Sequence, residues 1–261
     1  MTINDITAHD RAIVDQFTRQ AAGFAAAPEL HGDDVTALIV EAANPGPRDR
    51  VIDLACGPGS VACALARCAT HVVGLDATAA MLDQARTRAE KQGFADIEWL
   101  EGSIYDAPYP DGWFDICTCR FAFHHLQDPV RAFGEMVRLT APGGRIVLCD
   151  GLASDDRQKA EAFNRMERLR DPSTVAFRTF ETLRTLFIEA GLGEPEIRMF
   201  QVSYLAADLA EKSFPEGGDR SGLVALIEAS VDGDRLGVGA QKTEAGVRIA
   251  YRSAVLSAIK S

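Results

Sequence analysis

Val51-Ile52-Asp53-Leu54-Ala55-Cys56-Gly57-Pro58-Gly59-Ser60 is the stretch that decides how this chain is read. A short apolar run meets a carboxylate, then a glycine turn, then residues able to open a helix. Glycines at such a turn accept positive φ and let the backbone approach a ligand with no Cβ in the way. The helix expected from about Ser60 begins with N–H groups that lack intrahelical partners and suit polar ligand atoms. The plainer reading is a glycine turn that closes an ordinary βα unit.

Two ligands fit the turn. Gly57-x-Gly59-x-x-Ala62 satisfies the dinucleotide pattern G-x-G-x-x-A. Asp53 argues the other way, because a carboxylate just before the turn repels a pyrophosphate and attracts an ammonium. That charge logic favours S-adenosylmethionine (SAM), with S-adenosylhomocysteine (SAH) as its product. A nicotinamide-dependent oxidoreductase, and a SAM-binding protein without methyl transfer, stay open as alternatives.

Working outward, strands and helices alternate, which is the α/β signature. Strands are expected at 50–54, 71–76, 97–100, 114–119 and 145–150, with helices at 60–67, 78–92 and 129–139 between them. Their short apolar runs fit a parallel sheet buried on both faces. Beyond Asp150 the pattern predicts helices at 158–169 and 180–190 and a sixth strand at 196–204. Helices at 206–214 and 223–230 follow, then a seventh strand at 247–258 that periodicity alone does not separate from a helix. Ala43–Asp49 is the most linker-like stretch, so residues 1–45 read as an N-terminal helical segment and 46–261 as one domain.

Composition narrows the partners. The 261 residues carry a net charge of -11 and no block of Lys or Arg, which disfavours a nucleic-acid backbone. No apolar run reaches the ~20 residues of a membrane span. The polar start of the chain lacks the apolar core of a signal peptide, so cytoplasm is the expected location. The six cysteines form no C-x-x-C pair and show no zinc spacing, so no metal site is expected and buried reduced thiols are.

Further candidates stand where strands end. Asp76, about 20 residues past Gly57, can accept from ribose hydroxyls in either cofactor class. Ser103, Ile104 and Tyr105 follow the third strand, where a flat base would lie. Arg120, after the fourth strand, matches a cofactor carboxylate with its planar fork. His125 is the first choice for a general base and His124 the second, since free imidazole titrates near neutrality. Phe17, Ala21 and Phe24 share a helical stripe that either packs or folds over the site as a lid. With Phe121, Phe17 and Phe24 are the expected wall for a methyl acceptor.

The order VIDLACGPGS, GLDAT, EGSIYDAPYPDGWFD, CRFAFHHLQDP and LTAPGGRIVLCD resembles the class I SAM-dependent methyltransferases. Within them it is most similar to the branch of ubiquinone/menaquinone-biosynthesis enzymes and other small-molecule methyltransferases. RDPSTVAFRTFETLRTLFIEAGL adds to the likeness. The resemblance implies a Rossmann-like α/β fold. Its seven-stranded, mostly parallel sheet has an antiparallel last strand, helices on both faces and helical lid elements. Here an insertion at about 205–235 would precede the last strand. It implies that Asp53, Ala55, Gly57 and Gly59 border the methionine part of SAM. Asp76 and Ala77 would hold the ribose, Met81 the adenine, and Ser103 and Ile104 would flank the base. Two residues depart from the pattern: Ala55 stands where a first glycine is usual, and Ser103 where an aspartate is common. The implied reaction is methyl transfer to a small, partly apolar or aromatic acceptor by a monomer or homodimer.

Overall fold

A computed structural model describes residues 8–25 and 33–261. Its centre is a sheet in the order β3-β2-β1-β4-β5-β8-β6. The strands are β1 (Arg50–Leu54), β2 (His71–Asp76), β3 (Glu98–Glu101), β4 (Phe114–Arg120), β5 (Thr140–Gly151), β6 (Glu196–Leu205) and β8 (Gly246–Ile259). A three-residue strand, β7 (Gln241–Thr243), forms a hairpin with the start of β8. Strands β1 to β5 pair in parallel, and β8 lies antiparallel between β5 and β6. The strand at the chain's end is therefore the antiparallel one, as expected.

The chain builds from β1 through β2 to β3 in one direction, then crosses to β4 on the other side of β1. At such a reversal the connections leave in opposite directions and open a crevice beyond the strand ends. Leu54 pairs with both Leu75 and Cys119, so the ends of β1, β2 and β4 are level at that crevice.

The strands are buried because both faces are covered. On one face Ile39 of α2 (Asp33–Ala43) and Val61 and Leu65 of α3 (Ser60–Leu65) pack with Val51, Val72 and Val147. On the other, Phe133, Met136 and Leu139 of α5 (Pro129–Leu139) join Leu183 and Phe187 of α7 (Phe180–Glu189) over Ile52, Leu54 and Ile146. A third cluster unites α6 (Arg157–Arg170), α8 (Ala206–Glu211) and α9 (Arg220–Ala229) with Val247, Ile249 and Tyr251 of β8. Helix α1 (Ala8–Ala25) lies against α4 (Ala79–Gln92).

Two element readings needed the structure. Residues 246–259 form a strand: Val247, Ile249 and Tyr251 alternate into the third cluster, at a period no helix shares. Strand β7 was not expected, because Gln241, Lys242 and Thr243 are all exposed and carry no apolar alternation. Of the cysteines, all free, only Cys68 is exposed. No helix among the described residues is long and apolar enough to cross a membrane.

Candidate cofactor and acceptor site

Asp53 sits near the carboxyl end of β1 at 1% exposure. Thr118, its parallel partner on β4, donates its hydroxyl to Asp53 Oδ1 at 2.8 Å. Burial drives the carboxyl's pKa up to about 7, against the Thr118 hydrogen bond and the charge of Arg120. The turn that follows has positive φ at Ala55 (51°), Gly57 (53°) and Gly59 (77°). Ala55 occupies a region where a side chain costs roughly 1–2 kcal/mol. The usual glycine at this position therefore has a conformational reason, and the alanine here carries strain.

The two glycines serve different needs. A Cβ on Gly57 would meet nothing within 4 Å, whereas one on Gly59 would lie 2.7 Å from Trp99 Cη2 and 2.9 Å from Ala85 Cβ. Packing of the Trp99 indole thus requires Gly59, and Gly57 faces open space. The Gly57 N–H donates to Asp76 Oδ2 at 2.8 Å, and the Thr78 N–H to Oδ1 at 2.9 Å. Asp76 thereby fixes the glycine turn to the end of β2. It is buried, which raises its pKa against those two backbone bonds. Each carboxylate oxygen keeps a second lone pair for a further donor.

The base-side loop is anchored as well. Gly102 N–H donates to the Asp76 carbonyl at 3.0 Å, which brings the Ser103 turn beside the end of β2. Ser103 Oγ accepts from Tyr105 N–H at 3.2 Å. Ile104 is buried against the α5 core, and the Tyr105 ring packs under Arg131 with its hydroxyl accepting from Asp128 N–H at 3.4 Å. Met81 is buried in the first turn of α4, while Ala77 is exposed.

Past β4, Arg120 lies 5.1 Å from the Phe121 ring centroid, and burial lowers its pKa. Phe121 has φ 51° and donates its N–H to the Cys149 carbonyl at 2.8 Å, a strained turn that ends β4. Its ring faces Phe200 on β6 at 6.4 Å. A short 3-10 turn, Phe123–His125, follows, its carbonyls held by Arg178 through Phe123 and Leu126.

The two adjacent histidines have different surroundings. The His124 ring stacks on Phe177 at 4.2 Å, its Nδ1 is 2.7 Å from Asp150 Oδ1, and its own N–H donates to Asp150 Oδ2 at 2.9 Å. His125 Nδ1 is 3.0 Å from Ser173 Oγ, which donates to Asp171 Oδ1 at 2.6 Å. Burial, with His124 close by, lowers the pKa of His125 to about 3, so its ring is neutral at physiological pH. Helix α1 covers it: Phe17 meets the ring edge-on at 4.9 Å, and His9 Nε2–H donates to the His125 carbonyl at 2.8 Å. The Phe24 side chain lies outside the described residues. An open groove of about 500 Å³ along α6, lined by Ser154, Asn164 and Thr179 among others, includes none of these residues.

The structure therefore gathers Asp53, Gly57, Asp76 and Ser103 around the ends of β1 and β2. It places Arg120, Phe121, His124 and His125 past the end of β4. Thr118, Asp150, Asp171 and Ser173 were not expected from the sequence. Asp150 had a signal, since it ends an apolar run as Asp76 does and Asp53 nearly does. Asp171 and Ser173 had none beyond helix-breaking character.

The comparisons agree with this architecture. Residues 52–148 match the family described as "Methyltransferase domain". An uncharacterized methyltransferase of Bacillus subtilis (strain 168), YcgJ, is 32% identical over 171 residues, covering 66% of this chain and 67% of that protein. The chain belongs to the methyltransferase family. The crystal structure of YcgJ superposes on this methyltransferase with a TM-score of 0.76 at 25% identity, covering 87% of this chain and 98% of that one. The demethylmenaquinone methyltransferase of Thermus thermophilus is 41% identical over 39% of this chain and 46% of its own length. The methyltransferase thus spans about half of that relative. A geranyl diphosphate C-methyltransferase from Streptomyces coelicolor A3(2), solved with SAH, shares the fold at a TM-score of 0.62 and 14% identity, covering 87% and 77%.

Proposed function

We propose that this methyltransferase takes its methyl group from SAM and transfers it to a small, partly apolar or aromatic acceptor. One observation carries the reading: Asp76 binds the N–H of Gly57 at the switch point, while Gly57 faces open space and Asp53 is buried below. Two buried carboxylates with raised pKa values are costly unless a cation or hydroxyl donors compensate them. A methionine ammonium and ribose hydroxyls are such partners. A dinucleotide pyrophosphate would add negative charge to a pair already strained by it.

In this reading Asp53, Ala55, Gly57 and Gly59 border the methionine end. Asp76 and Ala77 take the ribose, and Met81, Ser103, Ile104 and Tyr105 the base. Arg120 pairs with the methionine carboxylate. Bound SAM supplies an electrophilic methyl on a good leaving group, so positioning is the protein's main task. Residues 1–45 act as the lid, with Phe17 and Phe121 lining the acceptor. Residues 46–261 form the catalytic domain, with the helical pair near 205–235 as an added wall. His125 is the base. His124, bonded through Nδ1 to Asp150, holds the turn that carries it.

Thermal melting with SAM, SAH or NADH tests the assignment. A ligand at 100 times its Kd adds about 2.7 kcal/mol of stability. SAM and SAH should each raise the melting temperature, and SAH should accumulate with a phenol or enol acceptor. Stabilisation by NADH alone would overturn the reading. Binding of SAM with no SAH formed across an acceptor panel would favour a binding protein.

A further inference from the structure

We propose that Asp171 and Ser173 are positioning residues that hold His125 with Nδ1 protonated and so present its Nε2 lone pair to an acceptor bearing an acidic proton, a phenol or an enol. The assignment of the acceptor rests on the methyltransferase reading above, whereas the tautomer does not.

The number of protons shared by Asp171, Ser173 and His125 fixes the tautomer. Ser173 has one hydroxyl hydrogen. Its Oγ lies 2.6 Å from Asp171 Oδ1 and 3.0 Å from His125 Nδ1. Asp171 is held ionised: burial opposes this, but with the His125 ring neutral the charge of Arg170 and two hydrogen bonds from Ser173 still favour the carboxylate. An ionised carboxylate only accepts, so the hydroxyl hydrogen points to Asp171 and Ser173 Oγ must accept from His125. The Nδ1 atom therefore carries the proton, and the neutral ring has its lone pair on Nε2. Among the described residues none hydrogen-bonds to Nε2. Asp171 Oδ1 also accepts the Ser173 N–H at 3.0 Å, so the serine is fixed by two bonds to one carboxylate.

This is the three-part pattern of a base oriented by a further group. Its neighbours supply a second observation. Gln16, beside Phe17 in the chain, buries an amide nitrogen with no partner, and Thr174, beside Ser173, buries a hydroxyl oxygen with none. Gln16 is only 8% exposed. Orphaned polar groups one position along the chain from the two residues that touch His125 are what a polar small molecule would satisfy. In the step, the acceptor's proton passes to Nε2 while its oxygen or carbon bonds to the methyl carbon. The methyl–sulfur bond breaks with its electrons going to sulfur. The resulting imidazolium is stabilised through Ser173 by Asp171, then returns its proton to water. A ring held neutral at physiological pH is a weak base, which is why the acceptor must itself be acidic.

Protein labelled with ¹³C and ¹⁵N at its five histidines tests this by NMR at pH 7, with the His125 signals assigned by their loss in His125→Gln. The expected result is the Nδ1–H tautomer in the wild type. Ser173→Ala and Asp171→Asn should move it toward Nε2–H, with SAH affinity within about 2-fold of wild type. With a phenol that the enzyme methylates, Ser173→Ala should lower kcat at least ~10-fold at unchanged KM for SAM, and Ser173→Thr should restore it. A wild-type Nε2–H tautomer overturns the proposal without any variant. So does an unchanged tautomer in both folded variants. An Nδ1–H tautomer in a protein that binds no SAH would keep the relay and sink the methyltransferase reading.

Discussion

Asp53→Asn isolates what the buried carboxylate costs the fold. In the unfolded chain Asp53 titrates near its ordinary 3.8, and in the folded protein near 7. The folded pKa is the raised one, so the unfolded state gives up its proton first. The favourable contribution is full below about pH 3.8 and is lost as pH rises through 7. Between pH 5 and pH 8 the loss amounts to about 2–3 kcal/mol. Asparagine removes the titration, yet keeps a carbonyl oxygen to accept the Thr118 hydroxyl.

Urea unfolding followed by circular dichroism at pH 5, 6, 7 and 8, without ligand, gives the difference between variant and wild type. That difference should move in favour of Asp53→Asn by about 2–3 kcal/mol from pH 5 to pH 8. Groups remote from Asp53 are common to both chains and cancel, whereas Asp76, whose charge acts on Asp53, changes with it and is part of the difference. Cofactor binding should show the reverse. Wild-type protein should take up SAM with release of close to one proton near pH 6, because the ligand's positive charge returns Asp53 to its ionised form. The variant should release none. Parallel stability curves for the two chains would refute the reasoning, as would SAM affinity independent of pH between 5.5 and 8.

Asp76→Ala removes the acceptor for Gly57 and Thr78 as well as the proposed ribose contact, so SAH affinity measured by calorimetry should fall at least ~100-fold, about 2.7 kcal/mol. Unchanged affinity would remove its cofactor role. Ala55→Gly relieves the left-handed strain at φ 51° and should raise stability by roughly 0.5–1 kcal/mol after the entropy of the added glycine, read as a higher melting temperature. Gly59→Ala should destabilise by roughly 1–3 kcal/mol, because its Cβ meets the Trp99 ring and Ala85. Trp99→Leu, which removes the obstructing ring, should recover part of that loss, and no recovery would place the strain in φ and the Ala85 contact.

The fold was legible because its signals are local. The strand–Asp–glycine run, the acid closing β2 and the alternation of apolar runs each depend on neighbours in sequence. Strand β8 was half-legible, since its alternation into a third core cluster exists only once α6, α8 and α9 are in place. The crowding around Gly59 was not legible, although its positive φ belongs to the glycine turn that the sequence shows. Its crowding comes from Trp99, forty positions along, and the same glycine in a looser fold would read as a ligand contact. Thr118 was equally hidden, because only strand register sets it beside Asp53.

The histidine pair shows the limit most clearly. His124 and His125 are identical in type and adjacent, so composition and periodicity assign them the same chemistry. The 3-10 turn sends them to different partners. His124 meets a carboxylate that binds both its ring and its own N–H, and Phe177 covers its face. Such a side chain holds a turn in place. His125 meets a serine whose one hydrogen is already given to Asp171, so both rings face an acceptor at Nδ1, and they differ in that Phe177 stacks on the His124 face while Phe17 of α1 meets the His125 edge. The distinction depends on residues 150, 171 and 173, which reach the turn from β5 and from the loop after α6. In the proposed reaction the capacity to act as a base therefore belongs to the loop after α6 as much as to the histidine.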